Sequence, residues 1–253
     1  MRKRNESAIS HTINEEQGNK RLSMRHLIAG LLILVFIPTV IAVGMGAWGG
    51  RHYYIVSILI IMAALVPFAM LFEKRKPRTR ELVLIAVMTT LGVVGRAAFY
   101  MLPQFKPVTA IVIITGVALG SEAGFATGAL TAFVSNIFFG QGPWTPWQMF
   151  AFGIIGFLSG VLFSDNSNKK VNLPLLLVFG ALATFAIYGG IMDTSSLFMM
   201  SSEISWSALL AMFASGFVMN LIHAASTVVF LLVLSKPLLK KLRRIRIKYG
   251  MME

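Results

Sequence analysis

The chain of 253 residues is 56% hydrophobic and only 13% charged, with a mean hydropathy of +0.75, where a soluble domain averages about 25% charged residues. These values exclude an ordinary water-soluble domain and mark an integral membrane protein. With no cysteine, disulfides, thiol chemistry and cysteine metal sites are excluded as well, and the net charge of +13 has to be explained by where the cations fall.

Residues 1–26 are polar and mixed in charge, "NESAISHTINEEQGNKRLS" among them, and predict a poorly ordered cytoplasmic tail. A spanning helix needs about 20 mostly apolar residues. Cut at its polar, Pro and Gly breaks, the rest of the chain offers Leu27 to Trp48, Tyr54 to Phe72, Glu81 to Met101, Pro107 to Leu119, Ala123 to Phe139, Trp147 to Phe163, Leu173 to Met192 and Trp206 to Leu234. The first exceeds the roughly 7 to 15 apolar residues of a secretory signal core and is read as a retained helix. The predicted fold is an all-α membrane protein of about eight spans. An N-terminal two-helix hairpin over 27–72 and a basic linker over 73–80, "KRKPRTR" within it, precede a six-helix core over 81–236. A basic cytoplasmic tail over 237–253 follows. Pro107 to Leu119 has the length of a re-entrant or interfacial segment, so seven spans is the other count.

Lys and Arg at span ends accumulate on the cytoplasmic side. All but three of the 23 lie in the N-terminal tail, in the linker, at Lys169 and Lys170, or after Leu234, which is every second connection. That pattern predicts an even number of spans with both termini inside. Arg51 and Lys106 fall outside, and Arg96 falls within a span. The positive charge is therefore a topology signal rather than a nucleic-acid footprint.

No GxxxxGK[ST] loop, HExxH motif or pair of His at ligand spacing occurs, so the chain carries no hydrolase or ATPase signature. Asp193, Glu203 and Glu122 sit near membrane edges and none is central, which argues against a proton-coupled secondary transporter. His223, close to Asn220 in the last span, is expected to bond to a neighbouring helix. Gly116, Gly120, Gly124 and Gly128 form a small-residue stripe broken by a turn. Ala86 and Thr90, four apart, share one helix face, with Gly92 and Gly95 further along. Arg96 costs several kcal/mol near a membrane centre, less where it snorkels to the surface, so it is an interface anchor or a polar contact in a binding cavity.

The richer connections all fall outside: "LPQFKP", with Gln104 and Lys106; "GQGPWTP"; and "MDTSSLFMMSSEISW", with Asp193. In "FFGQGPWTPWQ", Trp144 and Trp147 are typical interface residues. Asn136, Gln141 and Gln148 add neutral amides around a rigid Pro143 to Pro146 turn. Aromatic faces, amides and glycines together suit a large, mostly uncharged ligand. The candidate contacts are Arg96, Gln104, Lys106, Asn136, Gln141, Trp144, Trp147, Gln148 and Asp193.

From Arg80 to Lys241, through "RELVLIAVMTT" and "PVTAIVIITGVALGSEAGFATGALTAFVSNIFFGQGPWTPWQMFAFGIIGFLSG", the chain resembles the S component of an energy-coupling factor (ECF) type vitamin transporter. The resemblance implies a multi-pass subunit of a prokaryotic plasma membrane that captures a micronutrient from outside. It also implies a separate transmembrane coupling subunit and two ATPases, toppling of the S component to release ligand inside, and no catalysis or cofactor on this chain. Coupling in that family uses an AxxxA-type motif, which maps onto Ala86 and Thr90 with threonine in the second place. The front hairpin is absent from the usual six-helix pattern. "SNIFFGQGPWTPWQM" resembles S components linked to cobalamin, which is transported as substrate; riboflavin and a queuosine precursor are the other readings. Of other classes, an autonomous secondary transporter and a structural membrane protein with a Trp-bearing interface loop stand as rivals.

Overall fold

The computed structural model describes residues 79–163, 171–201 and 205–249. The front hairpin, the polar tail and most of the basic linker lie outside the described residues. Every described element is helical: α1 Thr79–Ala98, α2 Val108–Leu119, α3 Ser121–Phe139, α4 Thr145–Phe163, α5 Leu173–Leu182, a π-helical turn Ala183–Gly189, α6 Gly190–Met200 and α7 Trp206–Lys248. The π-helical turn joins α5 to α6 in one 28-residue helix, and this helix, α1, α4 and α7 are each long and apolar enough to cross a membrane.

The short fourth segment of the sequence becomes the centre of the bundle. α2 has 12 residues, about 18 Å of helix against a hydrocarbon core of about 30 Å. Every residue from Val108 to Ala118 is buried, and a helix that is apolar all round belongs inside other helices. Ile111, Ile113, Ile114 and Val117 pack with Ile155, Leu176 and Leu231 of the surrounding helices. Its polar side chains are satisfied locally or across the bundle: Thr115 donates to the Ile111 carbonyl at 2.8 Å, and Ser159 of α4 reaches the Ile113 carbonyl at 3.2 Å.

The glycine stripe is what lets α2, α3 and α4 close on one another. Gly120, at φ 100°, ends α2 by donating to the Gly116 carbonyl at 2.9 Å and turns the chain directly into α3. A Cβ on Gly124 would strike the Gly156 carbonyl, one on Gly128 would strike the Phe152 backbone, and one on Gly160 would strike the backbone of Ser121. Backbone-to-backbone contact of this kind replaces the hydrophobic drive that water supplies to soluble helices.

One end of the bundle is basic. Arg80 donates to the Tyr249 carbonyl at 3.2 Å and lies over its ring at 5.2 Å, which ties the first described helix to the last. Arg246 donates to the Ala118 carbonyl at 2.7 Å, satisfying an acceptor at the open end of α2. α7 continues beyond Leu234, where the apolar run ends, through Pro237 to Lys248. Leu238, Leu239 and Leu242 pack on the core there, and that packing carries the helix past the hydrogen bond the proline lacks. At the opposite end α1 stops beside Pro107, α3 stops at Gly140, and Phe99, Phe105 and Phe230 cluster with ring centroids 5.0 to 6.2 Å apart.

Gly124→Ala is expected to destabilise the bundle by about 1–3 kcal/mol, since the added methyl meets backbone that has nowhere to go. Gly190→Ala, whose methyl meets nothing within 4 Å, should be neutral or stabilise by up to about 1 kcal/mol through helix propensity. Thermal melting of the two variants in detergent checks the contrast.

Candidate functional site

Arg96, in the last turn of α1, does not extend along its own helix but turns into the bundle. Its Nη1 donates to Ser135 Oγ at 2.6 Å and to Asn136 Oδ1 at 2.7 Å on α3, and its guanidinium lies 5.2 Å from the Phe139 ring centroid, within cation–π range. Arginine has five donors and no acceptor, so Asn136 must present its oxygen to it. The Asn136 amide nitrogen then points onward, donating to Thr145 Oγ1 at 3.0 Å and to Gln148 Oε1 at 2.8 Å. Gln148 in turn donates from Nε2 to the Tyr188 hydroxyl at 3.0 Å. One charge thereby sets the direction of every bond in a chain crossing α1, α3, α4 and the π-helical turn.

Asn136 is fully buried and Gln148 nearly so, and in so dry a setting each member depends on its neighbours. Tyr188 reaches the chain from the π-helical turn, a feature frequent at functional sites. Its ring packs on Phe152 with centroids 4.6 Å apart and meets the His223 ring edge-on, also at 4.6 Å. His223 bonds to a neighbouring helix as expected: Nε2 and Thr109 Oγ1 are 2.9 Å apart.

A second group of residues forms the rim. Gln104 holds a left-handed backbone at φ 54°, uncommon outside glycine, in the loop that carries Lys106. Lys106 accepts a bond from Ser226 at its carbonyl, at 3.0 Å. Burial, and then the charge of Arg96, lowers its ammonium below the ordinary lysine value. Gln141 is exposed and donates to the Phe133 carbonyl at 3.1 Å, folding back along α3. Trp144 is 41% exposed and lies over Gly142, where a Cβ would strike its ring. Thr145 closes this turn, its hydroxyl accepting from the Gly142 N–H at 3.2 Å.

Two further candidates lie apart from the chain. Trp147 is buried rather than in the loop, near-parallel to Phe198 at 5.8 Å and packed by Ile191 and Met192. Asp193 on α6 accepts from Asn220 Nδ2 at 2.7 Å against Gly216 of α7. Arg96, Asn136 and Gln148 are thus joined directly, Gln104, Lys106, Gln141 and Trp144 surround their end of the bundle, and Trp147 and Asp193 belong to the α4–α6–α7 side. Sequence reasoning did not reach Ser135, Thr145 or Tyr188. The i+3 spacing of Thr145 and Gln148 on one helix face was the signal for Thr145. Among the described residues no group of His, Asp and Glu could hold a metal ion.

Ala86 and Thr90 occupy the middle of α1 on a face left uncovered by the described residues. Thr90 donates its hydroxyl to the Ala86 carbonyl at 2.9 Å and is left with a methyl to present. Exposed Val83, Val87 and Val94 continue that face, while Ile85 and Met88 point into the bundle.

Residues 76–241 match the family described as ECF-type riboflavin transporter, S component. A UPF0397 protein of Vibrio atlanticus (strain LGP32) is 26% identical over 124 residues, 46% of this chain and 67% of that protein. UPF0397 proteins of Aliivibrio fischeri, strains MJ11 and ATCC 700601 / ES114, are each 28% identical over 116 residues, 42% of this chain. Those matches span 62% of the two Aliivibrio proteins, less than two thirds of their length. No solved structure matches the chain.

Asn136→Leu strands Gln148 Oε1 and takes one of the two acceptors from Arg96, and at about 1–3 kcal/mol for a stranded buried group it should destabilise the fold by about 3 kcal/mol. Tyr188→Phe removes only the last acceptor, for a loss of about 1 kcal/mol. Unfolding of both variants in detergent, measured side by side, tests whether the chain acts as a unit.

Proposed function

The chain belongs to the ECF-type riboflavin transporter S-component family, which covers residues 76–241, and from that premise we propose that it captures a micronutrient at the Trp144 end of the bundle. The family consists of substrate-binding transporter subunits, not enzymes, and implies a coupling subunit and ATPases on separate chains. The orientation follows from the cations: the end with Arg80, Arg246 and Lys248 faces the cytoplasm of a prokaryotic cell, and the Arg96 end faces outward. The six-helix unit over 81–236 is the part that binds.

The observation that carries the substrate reading is the closed chain Arg96–Asn136–Gln148–Tyr188. Its amides are engaged with one another, so the contact surface offered to a ligand is the rim, where Gln104, Gln141, Trp144 and Tyr100 stand. A broad rim of aromatic faces and amides suits a large ligand with many neutral polar groups, and cobalamin is the substrate we assign. The likeness of "SNIFFGQGPWTPWQM" to cobalamin-linked S components supports the same choice. Riboflavin is the second reading, favoured by the family's description and by the near-parallel Tyr100 and Phe139 rings, 4.9 Å apart, as a platform for a flat ring system. Coupling uses the open α1 face at Ala86 and Thr90, where a valine-flanked strip of small side chains lets another helix approach closely.

Uptake of labelled cobalamin and riboflavin by cells expressing this chain with a coupling subunit and ATPases tests the assignment. Cobalamin uptake is expected; riboflavin uptake in its place would reassign the substrate. Thr90→Trp should lower uptake by about tenfold or more while ligand binding by the purified subunit is kept, because a large side chain blocks close helix approach far from the rim.

A further inference from the structure

Among the described residues, Arg96 and Lys106 lie at the same end of the bundle, and neither is hydrogen-bonded to a carboxylate. A Cβ on Gly95 would meet Pro107 Cγ at 2.5 Å, so the α1 backbone just before Arg96 lies against the proline ring that follows Lys106. Both Arg96 hydrogen bonds run to neutral groups, Ser135 and Asn136, and both use Nη1. The rest of the guanidinium fork takes no part in them. Lys106 is engaged through its carbonyl, and the charge that bears on its ammonium is that of Arg96.

Among the described residues the acidic side chains are Glu81, Glu122 and Asp193. Glu81 and Glu122 open α1 and α3 at the basic end, and the Asp193 carboxylate accepts from Asn220. Two like charges in a half-buried setting repel each other far more than in water. An oxyanion seated between them would reverse that sign, and a guanidinium fork together with an ammonium is a strong donor set for one.

We propose that Arg96 and Lys106 form an oxyanion site that takes a single phosphate-ester or carboxylate group of the transported substrate. This rests on the reading above that the Arg96 end faces outward and binds a micronutrient. The bonds to Ser135 and Asn136 hold the fork in place, so the site is pre-organised before ligand arrives. A substrate carrying such a group is held over a neutral analogue lacking it. The same chemistry is carried by an anionic lipid headgroup, and the test separates the two sources.

The probe is inorganic phosphate against chloride at equal ionic strength, with thermal melting of the full chain in neutral detergent as the readout. Phosphate should raise the Tm of the wild type in a dose-dependent way, and Lys106→Gln should weaken that response about tenfold, as loss of one charged partner does. Lys106 is chosen because no hydrogen bond of its side chain is lost, and Lys240→Gln, on the exposed basic end, should respond as wild type. Absence of a phosphate effect in wild type, or an equal effect in Lys106→Gln, overturns the site. The measurement is repeated in nanodiscs of phosphatidylcholine with and without phosphatidylglycerol. A response through Lys106 that disappears when phosphatidylglycerol is present assigns the site to a headgroup and overturns its assignment to substrate. A response that persists supports the substrate. Binding of cobalamin against its phosphate-free analogue cobinamide then reads selectivity directly, and failure of both to bind, with the phosphate response intact, sinks the micronutrient choice while leaving the oxyanion site standing.

Discussion

A guanidinium inside a membrane helix needs partners, and the partners found for Arg96 organise its whole end of the bundle. Arginine can only donate, so Asn136 faces it with oxygen and hands the donor role to its own amide nitrogen, and Gln148 repeats the step toward Tyr188. Four separate elements are thereby held in one register by bonds whose direction is set at one residue. Loose amides would adapt to many arrangements; amides locked in this way hold a fixed one.

The same end depends on how closely the inner helices approach. α2 is too short to cross a bilayer alone and is wrapped on all sides, and its entry is held by Ser226 of α7 on the Lys106 carbonyl. Glycines at 116, 124, 128, 156 and 160 allow α2, α3 and α4 to touch backbone to backbone, which brings Asn136 and Gln148 within a single hydrogen bond of each other. Close packing at one level and polar bonding at the next are therefore one design. The basic end is tied separately, by Arg80 on Tyr249 and Arg246 on Ala118, and α1 between the two ties keeps an apolar face that the described residues leave uncovered.

Much of this was legible in the sequence because membrane helices are written in long apolar runs and small-residue stripes. The helices from residue 79 onward, the broken glycine stripe and the bond from His223 to another helix could all be read from spacing and residue type. Asn136 and Gln148 stood out as amides at a helix end among apolar neighbours. Other features were not readable, for physical reasons. Tyr188 joins the chain only because a π-helical turn carries it round, and "ATFAIYG" has no marker for such a turn. Trp144 and Trp147 look alike in a loop read as letters, yet helix α4 begins between them and carries Trp147 inside. Gln141 is turned back onto the Phe133 carbonyl by the positive φ of Gly140 just before it. The end of α7 is hidden by Pro237, which ordinarily stops a helix and here is overridden by Leu238 and Leu242 packing on the core.

The central claim is that this chain recognises its micronutrient alone, before any coupling subunit or ATPase takes part. Calorimetry with the folded, detergent-purified chain and cobalamin, in the absence of partners, tests it most directly. The account predicts saturable binding at one ligand per chain with a Kd of about 1 µM or below, some 8 kcal/mol of affinity. Folded protein that binds neither cobalamin nor riboflavin until a coupling subunit is added would contradict it.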